Sequence, residues 1–290
     1  MPSFATEAQR HRALIFLFGF RTKKRGLGSV SLCLCGINCG FWIGTVIAVL
    51  LAAPATAAAP DDPLVRDAMA AEARLDTARS LELFQVAARV NPDNAFLQQK
   101  LARQYSDAEV EATAPAEKLR LARLALQHSQ RAVELEPNNA VNVLSLAISS
   151  GKIGVLSDIK TKITYSRLVR EGAERALALN PHYDWAHHVL GRWHYEVASL
   201  GAATRLFVRL VYGALPNASY QEGISHLERA VALAPQTVAH PIELGFALLA
   251  AGREPEARAA FNRGLVLPSR EKHDDAAKAR ARAALAKLKP

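Results

Sequence analysis

Beyond residue 39 the chain has no cysteine: Cys33, Cys35 and Cys39 are the complete set. A disulfide framework or a cysteine-ligated zinc site is therefore excluded from everything that follows, and no cysteine–histidine set with ligand spacing surrounds the three that exist. Aromatic residues make up only 7% of the 290 residues, so alanine and aliphatic side chains must fill most of the core. No stretch after residue 60 sustains the alternation of apolar and polar residues that a half-buried strand needs, and the Ala- and Arg-rich composition favours helix. Catalytic signatures are missing too. There is no Gly-x-Ser-x-Gly elbow, no Gly-x-x-x-x-Gly-Lys-Ser/Thr phosphate loop and no His-Glu-x-x-His pair. The expectation is an all-α protein that is not an enzyme and carries no cofactor or metal.

Acidic charge is scarce at both ends. Residues 1–57 hold six Lys or Arg against Glu7 alone, and residues 253–290 hold ten against five. Between them 20 basic residues face 21 acidic ones, so the formal charge of +9 belongs to the termini. A nucleic-acid partner is excluded on this ground, because a phosphate-tracking surface needs a basic stripe on the fold itself.

No charged residue occurs from Gly26 to Pro60, and Arg21, Lys23, Lys24 and Arg25 stand just before that run. The densest apolar part, Trp42 to Ala53, is followed by Ala55-Thr56-Ala57. A basic region, an apolar core and a small-x-small exit are the parts of an export signal, with cleavage near Ala57 or Ala58 and a bacterial periplasmic destination. An uncleaved membrane anchor over residues 29–53 and a mitochondrial presequence are the alternatives. Residues 1–57 are thus read as signal peptide or anchor.

What is abundant is regularity. Pro92, Pro137, Pro181 and Pro235 share one frame: an alanine five residues before each (Ala87, Ala132, Ala176, Ala230), a leucine nine after (Leu101, Leu146, Leu190, Leu244) and a small residue ten after (Ala102, Ala147, Gly191, Gly245). A helix that stops at a proline, followed by a helix carrying a small residue where it crosses its neighbour, is the punctuation of stacked helical hairpins. This frame resembles the tetratricopeptide repeat, and Leu244, Gly245, Gly252, Ala257 and Phe261 match that repeat best. The expected architecture is an α-α solenoid of about five hairpins over residues 60–270, with insertions, and a basic capping helix over residues 271–290. The prolines are 45, 44 and 54 residues apart, well beyond a repeat of about 34 residues. The first helix of the third pair is expected to run from Ala140 to Ser149, with Gly151 to Gly154 breaking the pair in the middle, and the helix starting at Ala95 is expected to stop at Tyr105.

The widest gap contains Gly191, Arg192, Trp193, Tyr195, Glu196 and Val197, then an apolar insert, then Tyr220, Glu222 and Gly223. In this segment the chain resembles the regulator of microtubule dynamics family. The resemblance implies a non-enzymatic helical-repeat domain, often tethered to a membrane by an N-terminal segment, that works through protein or lipid contacts. Microtubules are a partner only in a eukaryotic cell.

In tetratricopeptide domains the first helix of each pair lines a concave groove. Offsets from the prolines place Phe96, Arg103, Leu144, Ile148, Trp185, His188, Arg192, Tyr195 and Phe246 on that groove. Its apolar character suits a protein partner or, as the alternative, a lipid chain. The opposing expectation is that the insert or the capping helix fills the groove. In the insert over residues 202–215, Leu206, Phe207, Leu210 and Val211 share a face, with Arg205 and Arg209 on another. Arg205, Phe207, Arg209 and Val211 are the candidate membrane or lipid contacts. His182, His187, His188 and His194 crowd together, yet their helical spacing points to packing rather than metal.

Overall fold

A computed structural model describes residues 62–213 and 216–288, and the expected leader over residues 1–57 lies outside them. The described residues form twelve helices and no strand: α1 (Pro63–Ala73), α2 (Thr77–Val90), α3 (Ala95–Glu111), α4 (Pro115–Leu135), α5 (Ala140–Val155), α6 (Ile159–Leu179), α7 (Asp184–Ala198), α8 (Ala202–Tyr212), α9 (Tyr220–Leu233), α10 (Ala239–Ala250), α11 (Glu254–Val266) and α12 (Asp274–Leu285). Five antiparallel hairpins follow, α1/α2, α3/α4, α5/α6, α7/α9 and α10/α11, each packed on the next. The helix α8 is inserted inside the fourth, and α12 packs on α10 and α11. None of these helices is long and apolar enough to cross a membrane.

The repeated frame has a direct physical meaning. Each of the four alanines offers its carbonyl to the last helical bond before the proline turn: Asn91 N to Ala87 O at 3.0 Å, Glu136 N to Ala132 O at 3.0 Å, Asn180 N to Ala176 O at 2.9 Å and Ala234 N to Ala230 O at 3.0 Å. The following proline has no N–H with which to continue the ladder. The next helix then restarts from a side-chain cap in the first two turns, where Asn94 Oδ1 accepts from Leu97 N at 3.1 Å and Asn139 Oδ1 accepts from Val141 N at 3.0 Å. Ala87, Ala132, Ala176 and Ala230 are all fully buried, because the hairpins meet where these short side chains sit.

The small residue ten positions after Pro137, Pro181 and Pro235 marks the crossing within a hairpin. A Cβ added at Gly191 would stand 2.7 Å from Leu227 Cγ and 2.8 Å from Gly223 O; one at Gly245 would stand 2.5 Å from Phe261 Cδ1. In the third hairpin Ala147 faces Gly172, whose own Cβ would lie 2.6 Å from Ala147 Cβ. Backbones this close leave no room for a larger pair.

Two expected helix ends are corrected. Gly151 and Gly154 do not break α5, which runs through both to Val155. A Cβ at Gly154 would come within 2.9 Å of Tyr165 Cβ, and one at Gly151 within 3.0 Å of Val169 Cγ2. These glycines admit α6 alongside, and the packing outweighs their propensity cost of about 1 kcal/mol each. Similarly α3 continues past Tyr105 to Glu111. Lys152 of α5 donates to Ser106 O at 2.7 Å and Glu109 Oε2 at 3.0 Å, which fixes the added turns.

Core packing falls into four clusters, each of which joins neighbouring hairpins. Phe84, Leu97 and Leu101 fill the first part, Leu144, Ala173 and Ala186 the middle, Ile163, Trp193 and Val197 the junction beside the insert, and Ile242, Leu248 and Phe261 the last. Trp193 is seated by its indole N–H, which donates to Ser166 O at 2.9 Å and to Ser166 Oγ at 3.0 Å.

Candidate functional site

The first helices of the hairpins lie side by side, α3 against α5 and α7 against α10, and they carry most of the chemistry. On α7, residues Arg192, Tyr195 and Glu196 project from consecutive turns toward Glu243 on α10. Arg192 Nε donates to Glu196 Oε1 at 2.7 Å and lies 3.7 Å from Glu243 Oε1. The Tyr195 hydroxyl donates to Glu243 Oε1. From α12, Arg280 donates to Glu243 Oε2 at 3.2 Å, and its guanidinium lies 5.0 Å from the Phe246 ring centroid.

Burial and charge set the protonation of this cluster. Burial alone would push the Glu243 carboxyl up, but Arg192 and Arg280 hold it down at about 2. Glu196 goes the other way: burial raises it above the usual carboxylate value despite the Arg192 guanidinium. Burial opposes the Arg192 charge, and the Glu196 and Glu243 carboxylates restore it above the ordinary arginine value. Glu243 and Glu196 are nearly inaccessible at 3% and 7% side-chain exposure, whereas Arg192 keeps 30% and Arg280 keeps 39%. The acids are the buried foundation, and the arginine side chains are the more exposed members of the cluster.

A second cluster of imidazoles adjoins it. His188 of α7 and His240 of α10 meet Nδ1 to Nδ1 at 3.1 Å, and His240 Nε2 lies 2.8 Å from Asp184 Oδ2. His240 donates through Nε2 to the carboxylate, so its Nδ1 is the acceptor and His188 the donor. Trp185 covers both rings at centroid distances of 5.1 and 5.0 Å. On the side of α7 that faces α9, His187 and His226 repeat the arrangement at 2.9 Å, with His187 Nε2 donating to Pro181 O at 3.1 Å. Burial, and then the neighbouring ring, lowers His188 to about 3 and His226 to about 4. Among the described residues no three His, Cys, Asp or Glu side chains are arranged to hold a metal ion.

The face is crossed by the C-terminal segment. Glu271 accepts from Arg103 Nη2 at 2.5 Å, His273 Nε2 lies 2.9 Å from Asp107 Oδ1, and Lys272 donates to Leu75 O at 3.1 Å while pairing with Glu111. These partners sit on the second half of α3 and in the α1–α2 turn, far away in the chain. Asp274 fixes the bend before α12 by accepting from the backbone N–H groups of Arg270 and Glu271, both at 2.8 Å. Ala277 and Ala281 then bury α12 against the last hairpin.

The nine residues expected on the groove divide accordingly. Arg192, Tyr195 and Phe246 come together in the central cluster, Trp185 borders it, and Arg103 meets the crossing segment. Phe96 is exposed on α3, and Ile148 is half-buried beside the middle core. Leu144, at 1% exposure, and His188, at 7%, are core positions that no ligand reaches, because α6 and α10 close over them. Of the two expected groove fillers, the C-terminal segment is the one with contacts to the first helices α3 and α10. The insert α8 buries Val208 against Ile163, Trp193 and Leu200, and leaves Leu206, Phe207, Leu210 and Val211 exposed. Glu243, His240, Arg280 and Glu271 were missing from the expected set. Glu243 was within reach, since it shares helical spacing with Ala239, Ile242 and Phe246; Arg280 and Glu271 required knowing where α12 lies.

The Gly191–Val197 signature also finds its reasons. Gly191 makes the crossing with Gly223, Trp193 and Val197 fill the core, and Arg192, Tyr195 and Glu196 build the charged cluster. Glu222 reinforces the start of α9 by accepting from Ser219 Oγ at 2.9 Å.

Comparison with known proteins agrees with this geometry. A thermophilic TPR protein from Thermus thermophilus superposes with a TM-score of 0.55 at 20% identity, covering 77% of this chain and 97% of its own, which fixes the tetratricopeptide-like fold. Regulator of microtubule dynamics protein 1 of Bos taurus is 30% identical over 144 residues, or 49% of this chain and 45% of that protein. The human protein of the same name is 28% identical over 137 residues, covering 47% of this chain and 44% of its own. The matched region thus spans about half the length of the curated relatives. The sequence model of the family described as regulator of microtubule dynamics protein 1-3 matches residues 65–289, nearly the whole described domain, and the chain belongs to that family.

Proposed function

We propose that this domain is a scaffold that binds a protein partner through its concave face, centred on Arg192, Tyr195, Glu243, Phe246 and Arg280. The carrying observation is the buried acid–base cluster between α7 and α10. A charged network of this kind contributes little to stability compared with apolar packing of the same volume. Its value lies in presenting two fixed guanidiniums, beside the Phe246 and Trp185 rings, to an extended segment carrying carboxylates or backbone carbonyls. The N-terminal segment, read as an export leader or anchor, supports a location outside the cytoplasm or at a membrane. N-terminal sequencing of the purified protein tests that location, and a first residue before position 40 removes the cleaved leader.

A photo-crosslinking residue at Trp185 of the full chain tests the face itself. It is expected to capture a defined partner that the same residue at Arg123, on the exposed side of α4, does not capture. Arg192→Ala is expected to weaken that capture by about tenfold, the loss of one charge-assisted contact. Equal capture from both positions, or capture indifferent to Arg192→Ala, overturns the reading. Since the family relatives are named for microtubule dynamics, tubulin polymer is one partner to present directly, by co-sedimentation.

A further inference from the structure

We infer that α8 is a surface-seated docking helix for an anionic lipid bilayer. It is joined to the domain through Val208, which is 3% exposed and packs on Ile163, Trp193, Val197 and Leu200. Arg167 of α6 secures its end by donating to Gly213 O at 3.2 Å. Four further apolar side chains of α8 are exposed: Leu206 at 57%, Phe207 at 50%, Leu210 at 76% and Val211 at 54%. At a helical advance of 100° per residue, Leu206 and Leu210 stand opposite Val208, Phe207 and Val211 flank them on one side, and Arg205 and Arg209 occupy the other. A helix anchored on one narrow edge, with an outward apolar arc and arginines along its margin, has the form that lies in the plane of a membrane interface. Its long arginine stems let the guanidiniums reach the head groups while the leucines enter the acyl boundary.

Charge selects the occupant. From Val197 to Gln221 the chain has Arg205 and Arg209 and no acidic residue. A second copy docked face to face would bring arginine against arginine with no carboxylate from either helix to offset them, so a symmetric self-contact is disfavoured. Anionic lipid head groups supply the missing negative charge along the whole face, at about 1 kcal/mol per arginine near the surface.

The test uses the full chain carrying Leu210→Trp and vesicles of phosphatidylcholine with about one third phosphatidylserine, the acyl chains brominated. The added tryptophan is expected to be quenched beyond the quenching seen in the unsubstituted chain, which controls for the apolar N-terminal segment. Arg205→Glu with Arg209→Glu is expected to raise the lipid concentration for half-maximal quenching at least about tenfold, and phosphatidylcholine alone is expected to give no added quenching. Because positions 205, 209 and 210 are exposed, an unchanged circular dichroism spectrum and melting temperature will show that each variant is folded. Three results overturn the inference: no quenching of the tryptophan introduced by Leu210→Trp beyond the control, equal quenching by neutral and anionic vesicles, or a lipid-free dimer that Leu210→Glu converts to monomer.

Discussion

Gly191 and Gly223 show how much of the architecture rests on single atoms. Each faces the backbone of the other's helix, and a Cβ at Gly223 would stand 2.9 Å from Gly191 O and 3.1 Å from Tyr195 N. The neighbour that must yield is main chain, so a methyl group cannot be absorbed by a side-chain rotation. Gly191→Ala is expected to cost about 1–3 kcal/mol of stability, the usual result of overpacking. Thermal unfolding checks it, and Gly252→Ala is no substitute control because its φ of 78° adds strain of its own. Helical spacing from Pro181 placed Arg192 and Tyr195, one turn along, on one face of their helix, and the structure brings both to Glu243 of α10. Leu144 was misread as groove lining by the same counting, since spacing gives a face but not how far the neighbouring helices close over it.

At the scale of elements, α7 is held by two imidazole pairs, one to α9 and one to α10, and in each the donating ring, His226 or His188, is one whose burial opposes a second proton. The groups facing them are Asp184, Glu243, Arg192 and Arg280 around His188 and His240, and Glu222, Arg229, His182 and His194 around His187 and His226. His188 and His226 titrate below the ordinary histidine value in the folded chain, so the unfolded chain binds their protons first. Their contribution is complete above pH about 6.5 and is lost as pH falls toward the folded values. The buried His188 alone removes about 1.4 kcal/mol per pH unit through the acid range. The melting temperature is expected to drop steeply between pH 7 and 5, and His188→Gln to flatten that slope; an unchanged slope means that the α7–α10 pair does not report on pH. Glu243, held at about 2, stays ionised throughout and does not mask the effect. Element boundaries were legible wherever a proline removes an N–H, as at Pro92 and Pro137. They were illegible at Gly151 and Gly154, where tertiary packing against Tyr165 and Val169 outweighs the local signal.

Across the whole molecule, the contacts of Glu271, Lys272 and His273 join the segment after the last hairpin to α3 of the second hairpin and, through Leu75, to the turn of the first. The sequence announced a polar C-terminal helix, with Asp274 and Asp275 first and Arg282 near its end as the helix dipole favours. It could not announce the address, because nothing in residues 268–281 names α3. Individually these exposed pairs are weak, worth about 0.2–1 kcal/mol each. Replacing all three side chains with alanine is expected to lower amide-exchange protection in α1 to α3 by about 1 kcal/mol, with a similar loss in wild type at high salt. Equal protection in wild type and variant would mean that the first hairpin does not sense the last.

A stack of helical hairpins is ordinarily a chain of nearest neighbours, free to fray from either end. Residues 271–273 give this one a clasp. It fastens residues far apart in the chain, so the linear array has a contact between its two ends as well as those between neighbours.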